Sequence, residues 1–151
     1  MGRFGAWLHG DIKSADARPY DVVTDNLITI INSVRQKAPS AKILIINYPS
    51  IIPPNGSCAA LGINKEQADI SRTLAQQLAL ATKRAVDESG AQLVDIANAS
   101  VGHDVCSKAP WVNGASVKAG TAFHPNAAGA EATADAIVKA YSTITANGPA
   151  L

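Results

Sequence analysis

The fold can be deduced from the segment Lys42-Ile43-Leu44-Ile45-Ile46-Asn47-Tyr48. A strand with one face in water alternates apolar and polar residues, whereas this segment is almost continuously apolar and rich in isoleucine. Such a run is typical of a strand buried on both faces, and therefore of a parallel sheet. A second short segment, Ala91-Gln92-Leu93-Val94-Asp95-Ile96, is predicted to be another buried strand.

Three helical patterns surround the two strands. They run from about Tyr20 to Lys37, from Asn64 to Ser89 and from about Ala127 to Thr143, with apolar residues three and four positions apart. The resulting order is helix, strand, helix, strand, helix. This order predicts an α/β fold in which right-handed crossovers join parallel strands.

The ends of the longest helix carry recognisable signals. Asn64 can cap its start with Gln67 three residues on, and Gly90 is a suitable C-terminal stop. The side chains predicted to face inward are Val22, Val23, Leu27, Ile30, Ile31 and Val34 in the first helix, Ile70, Leu74, Leu78, Ala81, Ala85 and Val86 in the second, and Ala130, Ala134, Ile137, Val138 and Tyr141 in the third.

Length and composition limit the classes of protein to consider. A chain of 151 residues is sufficient for one domain with a real core. We expect a poorly defined N-terminal segment at residues 1–19, one α/β domain at residues 20–144 and a tail at residues 145–151. The net charge of +1, without a basic block, argues against binding to nucleic acid. No apolar run has the length of a membrane span, and the first ten residues lack the features of a secretory signal.

The candidate active residue is His124. In open parallel sheets the reactive crevice lies outside the carboxyl ends of the strands, and the loops after Tyr48 and after Ile96 both leave from that edge. The second loop runs from Ala97 to His124, and a loop of that length in a compact domain is usually functional. Pro125 disfavours helical backbone at His124, so the imidazole is presented from a loop. The alternative is a histidine that is merely exposed.

The two cysteines, Cys58 and Cys106, allow two interpretations. Neither belongs to a CxxC pair or to a metal-ligand pattern, and no metal or other cofactor is expected. A disulfide between them would close a loop of about 48 residues and contribute roughly 4 kcal/mol in the chain-entropy model. The other interpretation is two unrelated thiols in a cytosolic protein.

Three motifs, in this order and spacing, resemble a known family. They are the helix-Ala-Pro-strand-Tyr-Pro segment at residues 33–49, the segment Gly102-His103-Asp104-Val105-Cys106 followed by Pro110-Trp111-Val112-Asn113-Gly114, and Phe123-His124-Pro125-Asn126-Ala127-Ala128-Gly129. Together they resemble the C-terminal part of the SGNH (GDSL) hydrolases, in the secreted actinobacterial lipase and esterase branch. The resemblance covers about residues 20–142. It implies a three-layer α/β/α parallel-sheet fold that is truncated at its N-terminus.

The resemblance also implies roles for individual residues. His124 would be the general base of a serine esterase. The aspartate that usually stands three residues before this histidine is replaced by Thr121, so the orienting acceptor would be the backbone carbonyl of Ala122. Cys58 and Cys106 would form a disulfide, which implies an exported protein. Trp111 would line the acyl pocket, although packing of its own loop is an equally good interpretation.

The nucleophile block of the family has no counterpart in the sequence. Gly10-Asp11-Ile12 has isoleucine where the serine would stand, and Ser14 and Ser40 lack a strand-turn-helix setting. Ser50, at the end of the first strand run, is the nearest substitute. Asn47 and Asn113 could donate to an oxyanion but need no such role.

Three hypotheses about function follow. The first is a carboxylic ester hydrolase that acts on small ester or lipid substrates. The second is a catalytically inactive SGNH-derived remnant or interaction module, and the third is an unrelated small α/β binding protein. Missing strands would leave a sheet edge open to a second copy of the chain or to a complementing chain.

Overall fold

The computed structural model describes residues 18–117 and 120–146. Nearly all of the expected N-terminal segment, including Ser14, and most of the expected tail lie outside these residues. The helices are α1 (Tyr20–Lys37), α2 (Lys65–Ser89), α3 (Ile96–Ala99) and α4 (Ala127–Ala146). The strands are β1 (Leu44–Ile46) and β2 (Gln92–Val94), and a 3-10 helix spans Ala59–Leu61. The order of the long helices and strands is the predicted one.

The two strands pair in parallel, as predicted. Leu44, Ile45 and Ile46 lie opposite Gln92, Leu93 and Val94. Each strand has only three residues, fewer than the predicted runs. The prediction that both faces of β1 are buried is wrong, because Ile46 is 45% exposed. Among the described residues β1 and β2 have only each other as strand partners.

Helix α2 begins and ends where its local signals predict. The Asn64 side chain accepts a hydrogen bond from Gln67 N at 2.9 Å, and Gln67 Oε1 accepts one from Asn64 N at 3.0 Å. This capping box satisfies two backbone donors that the helix itself leaves free. Gly90 ends the helix with φ of 66°, and its N–H donates to Val86 O at 2.8 Å. A residue with a Cβ is disfavoured at that angle, which explains the glycine.

Helix α1 packs against α2 through small side chains. Thr24 is buried and donates its hydroxyl to Ala81 O at 3.2 Å, and Ala81 is fully buried. The predicted inward faces are therefore only partly correct. Ile31, Ala81, Ala85 and Val86 are buried, but Val22, Ile30, Val34 and Leu78 are 40–58% exposed. The buried face of α1 includes the polar Thr24, which apolar spacing alone does not select.

Helix α4 contacts both strands and begins three residues after His124. Of its predicted inward face only Ile137 is half-buried, and the other four positions were predicted wrongly. Ala130 and Ala134 are exposed, and Val138 and Tyr141 are 64% and 52% exposed. Most of that side of the helix is exposed, so its apolar spacing does not coincide with burial.

The apolar core beneath the His124 loop is formed by distant segments. Its buried members are Leu61, Ala68, Val105 and Val112, and the half-buried Phe123 and both cysteines pack against it. Cys58 and Cys106 form a disulfide with Cα atoms 5.9 Å apart. The long loop after β2 begins as α3, and its described residues return across this core.

Candidate functional site

The carboxyl ends of β1 and β2 are joined by the side chain of Asn47. Its Nδ2 donates to Asp95 Oδ1 at 2.7 Å, and its Oδ1 accepts from Ala97 N at 2.8 Å. Asp95 Oδ1 also accepts from Asn98 N at 3.2 Å, so it caps α3. Both ends of the Asn47 amide are thus used to hold the strand ends together.

His124 lies on the loop above this edge with its side chain exposed. Its Nδ1 is 3.0 Å from the carbonyl oxygen of Ala122. A carbonyl can only accept, so Nδ1 of the neutral ring carries the proton and donates it. The lone pair then lies on Nε2, which makes no hydrogen bond to any residue in the described part of the chain. An imidazole in this form can accept a proton from a hydroxyl group.

The His124 loop is held against residues 112 and 113. Asn113 N donates to His124 O at 2.9 Å, and Phe123 N donates to Asn113 O at 3.1 Å. Val112 and Pro125 form an antiparallel bridge, and Asn113 Nδ2 donates to Thr121 O at 3.1 Å. The backbone on both sides of the imidazole is therefore fixed by hydrogen bonds. The Asn113 amide serves this bracing.

Phe123 has φ of 61°, the left-handed region that bulky residues rarely adopt. Backbone of this kind costs on the order of 1–3 kcal/mol and persists only where its surroundings impose it. Phe123 stands between Ala122 and His124, so its turn brings the Ala122 carbonyl back toward the imidazole. The sequence did not predict this left-handed conformation, because no sequence pattern indicates it at a phenylalanine.

Tyr48 is a second residue that sequence reasoning missed. It follows β1, and its hydroxyl donates to Phe123 O at 3.0 Å. Its ring meets the His124 imidazole edge to face, with centroids 6.4 Å apart and planes at 89°. Partial burial raises the pKa of the Tyr48 phenol. The sequence did show an aromatic residue directly after a predicted strand. It did not show that the hydrogen-bond partner of Tyr48 is Phe123, 75 positions along the chain.

Trp111 packs within its own loop. Its ring stacks on His103 with centroids 4.2 Å apart and planes at 11°. Trp111 N donates to His103 O at 2.8 Å, and Trp111 O accepts from Asn126 N at 2.9 Å. His103 Nδ1 lies 2.7 Å from Ala109 O. These contacts show how Trp111 packs in its loop, and its place in the acyl pocket stays a prediction.

Ser50 is used in packing between β1 and α3. Its hydroxyl donates to Ala97 O at 3.0 Å, and its N–H donates to the buried Ser100 Oγ at 2.7 Å. Within residues 18–117 and 120–146 no serine hydroxyl makes a hydrogen bond to His124. Asp104 braces its loop, because its Oδ1 accepts from Cys106 N at 2.9 Å.

Two classes of feature are absent from the part of the chain that the structure describes. It contains no group of three or more histidine, cysteine, aspartate or glutamate side chains able to hold a metal ion. None of its helices combines the length and the apolar character that crossing a membrane requires.

Comparison with known proteins places these features in a family. A sequence profile of the GDSL-like lipase/acylhydrolase family matches residues 8–132. A lipase of Streptomyces rimosus is 30% identical over 119 residues, which are 78% of this chain and 44% of that protein. Lipase 2 of Streptomyces coelicolor is 32% identical over 124 residues, 76% of this chain and 39% of that protein. The chain thus spans less than half the length of these curated relatives.

Solved structures show the same fold. The crystal structure of a phospholipase A1 from Streptomyces albidoflavus aligns with a TM-score of 0.69 at 25% identity, over 89% of this chain and 53% of that one. An extracellular lipase from Streptomyces rimosus aligns equally well, with a TM-score of 0.69 at 20% identity over the same shares. The α/β fold is therefore that of the SGNH hydrolases, and the chain belongs to the GDSL-like lipase/acylhydrolase family.

Proposed function

We propose that the protein is a carboxylic ester hydrolase in which His124 is the general base and the Ala122 carbonyl orients it. The observation that carries this proposal is the 3.0 Å contact between His124 Nδ1 and Ala122 O. It leaves Nε2 as the acceptor, on a loop at the carboxyl edge of a parallel sheet. Membership of a lipase and acylhydrolase family supplies the class of reaction.

The proposed chemistry is acyl transfer through a serine. Nε2 of His124 takes the proton of the serine hydroxyl as the oxygen attacks the ester carbonyl, and then returns it to the leaving alcohol. Water, activated in the same way, releases the acid. The Ala122 carbonyl fixes the tautomer throughout. As a neutral acceptor, it stabilises the imidazolium less than a carboxylate in that position would.

The nucleophile is the part of the proposal that the described residues do not supply. Ser50 would have to release Ala97 O before its hydroxyl could donate to His124. We therefore propose that the serine lies outside residues 18–117 and 120–146, where the sequence has one serine, Ser14, so the probe is expected to label Ser14. The Ser50→Ala variant is therefore a useful control for the labelling experiment.

The proposed substrates are fatty-acyl esters, and the proposed location is outside the cytoplasm. Two similar structures are described as a phospholipase A1 and as an extracellular lipase. The Cys58–Cys106 disulfide supports export, because such bonds persist in oxidising compartments. A non-catalytic module is the second candidate, favoured by the use of Ser50 in packing.

The test is hydrolysis of p-nitrophenyl butyrate by the chain, together with labelling by a fluorophosphonate probe. We expect turnover and one labelled serine, identified by mass spectrometry. The His124→Ala variant should lose both, with turnover reduced roughly 10²–10⁴-fold, since the general base is absent. The Ser50→Ala variant should keep its labelling.

The control is His103→Asn, which alters the other described histidine while its amide can still donate to Ala109 O. It should retain activity when rates are corrected for the folded fraction. If the folded chain shows neither turnover nor a labelled serine, the hydrolase proposal fails for this chain and the non-catalytic module is supported. A label on Ser50 would overturn the proposal that the nucleophile lies elsewhere.

A further inference from the structure

We propose that Tyr48 is a positioning residue for His124: its hydroxyl holds the Phe123 carbonyl, and its ring limits the movement of the imidazole. The catalytic meaning of this inference rests on the proposed function. Its structural content, a dependence of the His124 tautomer on Tyr48, does not.

The first step is the place of Phe123 in the loop. The acceptor Ala122 O and the donor His124 Nδ1 belong to residues two apart, and Phe123 is the hinge between them. With φ of 61°, Phe123 turns the chain so that the Ala122 carbonyl faces the imidazole. If Phe123 relaxed to ordinary backbone, that carbonyl would rotate away. Whatever holds Phe123 therefore holds the tautomer of His124.

The second step is to identify what holds Phe123. Its N–H donates to Asn113 O at 3.1 Å, and its side chain packs against the core around Leu61. Its carbonyl accepts only from the Tyr48 hydroxyl, at 3.0 Å, among the described residues. That carbonyl is part of the peptide plane that leads directly into His124. The His124 N–H of the same plane donates to Thr121 O at 3.3 Å, within the loop, so Tyr48 is the contact that fixes this plane from outside the loop.

The third step is the origin of Tyr48 in the sheet. It lies two residues after the end of β1, and the buried Pro49 follows it. The other backbone hydrogen bonds of Phe123 and His124 are made with Asn113 and Thr121, which lie in the same long loop. The Tyr48 hydroxyl thus connects the loop with the strand end. The edge-to-face contact, with centroids 6.4 Å apart, is within the range in which aromatic rings attract each other.

The phenol is suited to this role across the ordinary pH range. Partial burial raises its pKa, so it stays protonated and able to donate. Replacing it by phenylalanine removes the donor and keeps the ring. The loop would then retain its packing but lose the bond that fixes the Phe123 carbonyl.

The experiment is Tyr48→Phe, with the His124 tautomer measured by long-range ¹H–¹⁵N correlation spectra at a pH where the ring is neutral. In the unaltered chain we expect the proton on Nδ1. In the variant we expect a measurable shift toward the Nε2–H form, which cannot accept a proton at Nε2. If the chain hydrolyses p-nitrophenyl butyrate, kcat should fall about five- to tenfold, with KM little changed, since one neutral hydrogen bond is lost.

The matched control is Tyr141→Phe, which removes a hydroxyl from an exposed tyrosine on α4. It should leave both the tautomer and kcat unchanged. A folded Tyr48→Phe chain with an unaltered His124 tautomer would overturn the inference even if ester hydrolysis is confirmed. Conversely, a chain without turnover but with the tautomer shift would refute the proposed function and leave the positioning role standing.

Discussion

At the level of single residues, the His124 site depends on the close approach of α4 to the loop that carries Trp111. A Cβ added at Gly129 would lie 2.1 Å from Trp111 O and 2.9 Å from its carbonyl carbon. Asn126 fastens the same contact: its Nδ2 donates to Pro110 O at 2.7 Å, and its Oδ1 accepts from Gly129 N at 3.0 Å. Only glycine allows the start of α4 to sit here, one turn from the base.

The first prediction concerns Gly129→Ala. The obstructing atoms belong to the backbone, so they cannot move aside as a flexible side chain would. We therefore expect the free energy of unfolding to fall by about 1–3 kcal/mol. Urea unfolding followed by circular dichroism measures it. Ala128→Ser, at an exposed neighbouring position, should change stability by less than about 0.5 kcal/mol. Equal stability of Gly129→Ala and the unaltered chain would refute the close contact.

At the level of secondary structure elements, the ends of α2 were predicted more accurately than the faces of the helices. The caps depend on residues within three or four positions of each other, such as Asn64 and Gln67. The buried faces of α1 and α4 depend on what packs against them. This is why Val138 was placed inward and is 64% exposed.

The second prediction concerns the N-terminal cap of α2. Asn64→Ala removes the side-chain acceptor of the Gln67 N–H and keeps the backbone N–H that donates to Gln67 Oε1, so we expect a loss of about 1 kcal/mol in the free energy of unfolding. The measurement is a shift of the urea midpoint at unchanged slope. Asn64→Asp keeps a side-chain acceptor in the same place and should lose much less. If both variants lose the same amount, the cap is not the cause.

At the level of the whole molecule, the stability of the site loop depends on contacts between segments far apart in the chain. The core around Leu61 and Val112 joins the 3-10 helix to the loop of His124. The disulfide lies in the same region and joins two cysteines that are 48 residues apart in the sequence. The exposed Ile46 belongs to β1, which is hydrogen-bonded on one side within the described residues.

The third prediction concerns this disulfide. Closing a loop of that length restricts the unfolded chain, so replacing both cysteines with serine should reduce the free energy of unfolding by about 4 kcal/mol. Urea unfolding of the oxidised chain and of the double variant gives the difference. Adding reductant should lower the midpoint of the unaltered chain and leave the variant unchanged. Free thiols in the chain as purified from an oxidising compartment would contradict the pairing.

Local sequence alone determined the helices, the parallel strands and the cap of α2, because each depends on periodicity or on residues a few positions apart. The choice of His124 also came from sequence, through its setting before Pro125 and the order of the surrounding motifs. Only the tertiary structure decided which faces are buried, that Ser50 bonds to Ala97, and that Tyr48 bonds to Phe123 across 75 positions. Such pairs are selected by the packing of the folded chain, which no local pattern records.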